Sequence, residues 1–243
     1  MAFQWQSFKT RSLTALVFAS VMLGGLLVNA WTFLILILVI NAGSWLEYIK
    51  LADKVEISAS NTTKPNKYIF KWGGLFFISL SWALFIDFYF RLNLPAENVN
   101  NTINWLPLLV LSCMWINDTM AYMVGSLIGR TPLSAVSPKK TWEGTIGGAA
   151  LTILIIGQIG RVHFPVLHYA DTDLHLTLIN WYVFGFLAAA SGTIGDLIES
   201  KVKRMAGVKD SGSIMPGHGG FLDRFDSILL ATPIIWLYLY WLS

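Results

Sequence analysis

Residues 209–242 read KDSGSIMPGHGGFLDRFDSILLATPIIWLYLYWL. The first half is polar and glycine-rich. From about residue 223 onward the chain turns apolar for about twenty residues, the length that crosses a hydrocarbon core of ~30 Å. Two aspartates, Asp223 and Asp226, stand at the change. So abrupt a switch marks a chain entering a membrane. Working back from it, further apolar stretches lie near 178–199, 145–160, 104–128, 69–90, 31–49 and 12–29, giving seven expected spans with the one at 223–242. Composition agrees: 55% of the 243 residues are hydrophobic, 13% are charged, and mean hydropathy is +0.58. An ordinary soluble domain is about 25% charged. The expected architecture is an all-α, polytopic helical bundle forming a single membrane domain over 1–243. Residues 1–100 supply amino-terminal helices, and 104–243 supply the catalytic helices and inner loops.

Charge placement orients the spans, because cytoplasmic loops collect Lys and Arg. With the amino terminus inside, every basic residue except Arg91 and Arg161 falls on the inner side. Residues 12–29 are read as a span and not as a cleaved leader, because a second apolar run begins at once at Trp31. The lone Cys113 excludes a disulfide or a cysteine metal site within one chain. The net charge of +3 is small and concentrated on one membrane face; attraction to anionic lipid gives that bias in any case, so it says nothing about substrate. No nucleic-acid partner is expected. Residues 50–68 are read as a polar inner loop.

A carboxylate at membrane depth costs about 2.5 kcal/mol or more, so it usually faces a cavity, a partner or an ion. Asp118, in WINDTMAYMVG (115–125), is the deepest; pairing that merely fixes helix packing is the alternative. Asp87 is expected either to snorkel towards water or to pair with Arg91 four residues on, and is left out of the site. At the end of the sixth span, SGTIGDLIESKVKR (191–204) places Asp196 and Glu199 on one helical face, and Asp223 and Asp226 share another. With 201–221 read as a loop joining two helix ends, the acidic pairs can converge. Carboxylates without cysteine describe a hard-oxygen site suited to Mg²⁺; helix capping is the simpler alternative for Asp223 and Asp226. Capping leaves the neighbours unused. Lys203, Arg204, Lys209 and Arg224 are positive, and Gly212, Gly217, Gly219 and Gly220 let backbone N–H groups approach an anion. A second basic segment, RTPLSAVSPKKTWEGTIGG (130–148), adds Lys139 and Lys140; Pro132 and Pro138 bar it from continuing the fourth helix. Phosphate plus divalent metal fits both halves.

The stretch SKVKRMAGVKDSGSIMPGHGGFLDRFDS, residues 200–227, resembles the signature of the phosphatidate cytidylyltransferases, or CDP-diacylglycerol synthases. The matching positions are Ser200, Val202, Lys203, Arg204, Lys209, Asp210, Pro216, His218, Gly219, Gly220, Asp223, Arg224 and Asp226. GDLIES, SPKKTWEGTIGG and NDTMAYMVG resemble the family in its order, so the likeness covers about 117–227. It implies transfer of CMP from CTP to phosphatidic acid in the bilayer, giving CDP-diacylglycerol and pyrophosphate, with Mg²⁺ required and a second cation left open. On this reading Asp196, Asp223 and Asp226 hold metal against the CTP phosphates, and Asp118 is a deeper ligand or partner. Lys203, Arg204, Lys209 and Arg224 bind the triphosphate and the lipid phosphate, Lys139 and Lys140 complete the rim, and His218 hydrogen-bonds a phosphate. Ser200, Asp210, Gly219 and Gly220 belong to the substrate-binding set. The resemblance also implies a homodimer in the cell membrane, with its site on the cytoplasmic side. A CTP-dependent polyprenol or lipid kinase is the nearest rival reading, and a transporter of anionic metabolites is a second.

Overall fold

The computed structural model describes residues 5–58, 66–93, 104–164, 166–169, 172–213 and 219–242. Among them are seven helices: α1 (Trp5–Leu27), α2 (Ala30–Ser58), α3 (Lys67–Phe90), α4 (Leu106–Ile128), α5 (Trp142–His163), α6 (Leu178–Met205) and α7 (Leu222–Leu242). Helices α2 to α7 are each long and apolar enough to cross a membrane, while α1 contributes the shorter apolar stretch Thr14–Leu27. The protein is therefore an all-α integral membrane protein, with six full-length candidate spans where seven were expected.

Two expected loops are shorter than hydropathy suggests. Helix α2 continues to Ser58, through residues 50–58 of the segment 50–68 read as a polar loop. Helix α6 continues to Met205, so Ser200, Lys203 and Arg204 are helical and the connection begins only afterwards. It ends at Gly207, whose φ of +68° is the left-handed conformation that glycine adopts without strain. There Gly207 N donates to Arg204 O and Val208 N to Lys203 O, the paired bonds of a Schellman motif.

Two small sheets interrupt the helices. Strands β2 (Pro132–Ser134) and β3 (Ser137–Thr141) form an antiparallel hairpin between α4 and α5. The segment from which the prolines exclude helix is thus ordered as strand. After α5 come β4 (Val166–Tyr169) and β5 (Thr172–His175), joined on the β4 side by β1 (Leu92–Asn93).

The chain divides into two compact units, Met1–Ser79 with Lys201–Phe225, and Leu80–Ser200 with Asp226–Ser243. In the first, Phe33, Ile37, Ile40 and Leu51 of α2 are buried. The α1–α2 junction is fixed by a reciprocal cap, in which Thr32 N donates to Asn29 Oδ1 and Asn29 N donates to Thr32 Oγ1.

In the second unit, α4 and α5 cross closely. A Cβ on Gly148 would lie 2.7 Å from the Cα of Ala121, and one on Gly144 would lie 2.7 Å from its carbonyl oxygen. Small residues let helix backbones meet in this way. Buried Asn104 joins the end of α3 to the start of α4: its amide donates to the carbonyls of Phe88 and Tyr89, and its oxygen accepts from Leu106 N. The expected Asp87–Arg91 pair forms at 3.2 Å, and Asp87 also accepts from the Trp236 indole.

Pro233 lies inside α7 and cannot donate to the carbonyl four residues back, at Leu229. Ser81 of α3 makes good the loss, its hydroxyl donating to Leu229 O at 2.6 Å in a buried contact. Ser81→Ala should therefore cost about 1–3 kcal/mol, the penalty of an unsatisfied buried carbonyl. The same change in a Pro233→Ala background should cost little, because residue 233 then supplies the donor itself. Thermal unfolding of the four proteins in one detergent measures this difference.

Candidate active site

In the second unit, Asn117, Asp118, Ala121, Lys139, Lys140 and Asp196 are among the residues lining a cavity of about 400 Å³. Four local arrangements place its charges. Asp118 projects from the middle of α4 and is exposed to this space. Lys139 and Lys140 lie on β3, whose hairpin is tied at both ends to the start of α5. Trp142 N donates to Thr131 O, and the Glu143 carboxylate accepts from the backbone of Arg130 and Thr131 and from the Thr131 hydroxyl. Thr141 caps α5 by accepting from Gly144 N at 3.1 Å. The lysines are thus held on an anchored strand.

Asp196 comes from α6. One of its oxygens pairs with the Lys140 ammonium, and the other accepts from the Ser200 hydroxyl at 3.2 Å. The backbones of α6 and α7 meet beside it, since a Cβ on Gly195 would lie 2.7 Å from Asp226 O. Asp226, on α7, is thereby placed beside this stretch of α6.

The fit of these acids to Mg²⁺ follows from the donor chemistry. Among the described residues, no three His, Cys, Asp or Glu side chains are gathered into a ready-made metal cage. Mg²⁺ does not ask for one. It keeps several waters and is usually held by one or two carboxylates plus substrate phosphates. All-oxygen acids facing a cavity lined by lysines meet that requirement.

The first unit holds a second polar assembly. Lys203 of α6 pairs with Asp223 of α7 at 2.7 Å, and both side chains are largely buried, at 12% and 8% exposure. The other Asp223 oxygen accepts from Ser211 N and Gly220 N, each at 2.8 Å, and lies 3.0 Å from Ser211 Oγ, whose single proton Asp223 shares with Glu47. Gly219 turns this segment with φ +82°, where a Cβ would sit 2.5 Å from Asp223. Asp223 was expected to hold metal; both its oxygens are engaged by donors of the chain itself.

Glu47 completes the assembly, and sequence reasoning missed it. It stands on α2 in SWLEYIK (44–50), is only 4% exposed, and accepts from Ser211 Oγ at 2.7 Å, Phe221 N at 2.9 Å and Leu222 N at 3.0 Å. A Cβ on Gly212 or Gly220 would run into its carboxylate. These glycines were expected to let backbone approach an anion; the anions they approach in the structure are Glu47 and Asp223. The signal that could have found Glu47 is an acid inside an apolar helix, the same test that singled out Asp118.

Of the remaining expected residues, Arg204 donates to Val208 O at 3.3 Å. Lys209, Asp210 and Arg224 are exposed near the same loop. His218 lies outside the described residues, as does Pro216.

Comparison with known proteins gives a consistent result. A family model described as "Cytidylyltransferase family" matches residues 59–242. A phosphatidate cytidylyltransferase of Staphylococcus epidermidis is 31% identical over 214 residues, covering 86% of this chain and 76% of that protein. One from Staphylococcus aureus is 32% identical over 216 residues, with 86% and 76% covered. The chloroplastic phosphatidate cytidylyltransferase 4 of Arabidopsis thaliana is 35% identical over 181 residues, 68% of this chain and 44% of that protein.

Proposed function

The chain belongs to the cytidylyltransferase family, and from that premise we propose that it moves CMP from CTP onto phosphatidate, yielding CDP-diacylglycerol and pyrophosphate. A phosphate oxygen of the lipid attacks the α-phosphorus of CTP. The new P–O bond forms as the bond from the α-phosphorus to the bridging oxygen of pyrophosphate breaks. The nucleophile is already an anion, so neither a covalent enzyme intermediate nor a strong base is needed. What the protein must supply is alignment and neutralisation of charge.

The observation that carries this reading is the cavity in which Asp118 and Asp196 stand with Lys139 and Lys140. Acids and lysines in one cleft suit a polyphosphate that arrives with a divalent cation. Asp118, Asp196 and Asp226 are the residues that would hold Mg²⁺, which when bound would neutralise phosphate charge. Lys140 is positioned by Asp196, and Lys139 extends the positive wall. The roles of Lys203, Arg204, Lys209 and Arg224 in binding the triphosphate and the lipid phosphate are part of the proposal and rest on the family resemblance alone. Asp223 keeps Lys203 in place, and its Oδ1, which accepts from Lys203 alone among the described residues, would be the oxygen to reach the metal together with Asp118, Asp196 and Asp226.

Phosphatidate cannot leave the bilayer and CTP cannot enter it. Reaction at a membrane face is therefore required, and the distribution of basic residues favours the cytoplasmic face. Assembly as a homodimer belongs to the same proposal and rests on the family resemblance.

The test is transfer of label from α-³²P-CTP into chloroform-soluble lipid by the purified protein with phosphatidate, with and without Mg²⁺, beside Asp196→Asn. Mg²⁺-dependent incorporation is expected, and the variant should lose about 100-fold in rate, the effect of removing one preorganised electrostatic group. Label entering lipid only from γ-³²P-CTP would replace this reading with a kinase, and entry of neither label would remove transferase chemistry.

A further inference from the structure

We infer that Glu47 is a positioning residue of the transferase, acting on the reaction through Asp223 and Lys203; the inference rests on the function proposed above and extends it to a residue far from the signature. Glu47 lies 164 positions before Ser211 and 175 before Leu222, yet its carboxylate takes three donors from that later segment. Two of them, Phe221 N and Leu222 N, belong to the start of α7, where the first backbone N–H groups have no partner inside the helix. A carboxylate there also opposes the positive end of the helix dipole. Glu47 thus performs for α7, from another helix, the task that a local capping residue normally performs.

The consequence for the signature is geometric. Asp223 is the second residue of α7, directly after the two amides that Glu47 holds. Ser211 is shared: its hydroxyl lies within hydrogen-bond distance of both Glu47 and Asp223, while its N–H goes to Asp223. Glu47, Ser211, Asp223 and Lys203 therefore form one continuous chain of hydrogen-bonded groups. Fixing the first member fixes the direction in which the last presents its ammonium. The fit is close, because side chains at Gly212 or Gly220 would collide with the Glu47 carboxylate.

A positioning role differs from mere support of the fold in what it moves. Partial unfolding lowers the active fraction, hence kcat, and leaves both KM values where they are. A displaced Asp223–Lys203 pair weakens the hold on the triphosphate and raises KM for CTP. Glu47→Gln, which keeps size but turns a donor towards the N–H groups, should lower kcat/KM for CTP about tenfold, the lower end of losses for groups that orient a site through another residue. KM for phosphatidate should stay within about twofold. Glu47→Asp, which retains the acceptors, should recover part of the loss.

The same purified proteins, compared by amide hydrogen exchange, give a readout that needs no catalysis. Phe221 and Leu222 should exchange faster in Glu47→Gln. Gly220, whose N–H is held by Asp223 and not by Glu47, should follow them if the network moves as one. An unchanged Gly220 amide, or an unchanged KM for CTP in an active variant, would overturn the inference. Should wild type transfer no CMP, the proposed function fails while the exchange experiment still decides whether Glu47 sets Asp223. If Glu47→Gln does not fold, Glu47→Asp carries both arms, with a smaller expected shift in the same direction.

Discussion

Asp223→Asn is expected to lower CMP transfer by about 1,000-fold, the upper range for loss of a single preorganised electrostatic group. The wild-type carboxylate divides its work, with one oxygen on the Lys203 ammonium and the other on Ser211 and Gly220. An asparagine has only one oxygen. Whichever way the amide turns, its NH₂ faces either an ammonium or backbone and hydroxyl donors. If it faces the backbone, the loop loses its anchor; if it faces Lys203, a largely buried ammonium loses the carboxylate of Asp223. Breaking a buried pair from one side costs about 3–5 kcal/mol, much of it from the charge left behind. The single variant should therefore also melt at lower temperature. Adding Lys203→Met removes that ammonium and should restore much of the stability but none of the activity. Transfer above a tenth of wild type by Asp223→Asn would show that the carboxylate's charge is dispensable. Equal melting temperatures for the single and double variants would show that the ammonium does not depend on the Asp223 carboxylate.

Gly148→Val should prevent recovery of a folded protein. Its side chain would begin 2.7 Å from the Cα, Cβ and N of Ala121, and most of those atoms are backbone. A flexible side chain can swing away from an intruder; a helix backbone moves only with the whole helix. Overpacking in a core costs about 1–3 kcal/mol when neighbours can adjust, and here α4 and α5 would have to separate, taking Asp118 and the lysine hairpin with them. Gly73→Ala is the matched comparison, because nothing lies within 4 Å of a Cβ there. That change should be neutral or stabilising by up to about 1 kcal/mol through helix propensity. Size-exclusion profiles and melting curves in detergent read both, and a monodisperse, wild-type-like peak for Gly148→Val would contradict the close crossing.

Hydropathy made the helices legible because it reports the part of each helix that meets lipid. It says little about where hydrogen bonding stops, which is why α6 outruns its apolar stretch by six residues, from Ser200 to Met205. The prolines at 132 and 138 correctly excluded helix. That they lie in a hairpin depends on pairing across a two-residue connection with a register irregularity, which no periodicity in five polar residues could display. In the site, the cavity's charged residues Asp118, Asp196, Lys139 and Lys140 were all readable as a charge pattern. Gly212, Gly219 and Gly220 were read as letting backbone approach an anion, and the anions beside them in the structure are the protein's own Glu47 and Asp223; Gly217 lies outside the described residues. Glu47 carries the same signal as Asp118, an acid inside an apolar helix, and was passed over for its position. Near the end of an apolar span it looks like any interfacial acid, and every donor that explains it belongs to another part of the chain.

That separation in sequence becomes a separation in time when the chain is made. At about 5–20 residues per second, Ser211, 164 positions after Glu47, is joined roughly 10–30 s later. Through that interval α2 carries an acid whose eventual donors have not been synthesised. A nascent or truncated chain ending before residue 211 keeps that charge without them, and so carries a chemical mark of incompleteness at membrane depth. Glu47 gains these donors only once the segment leading into α7 has been made.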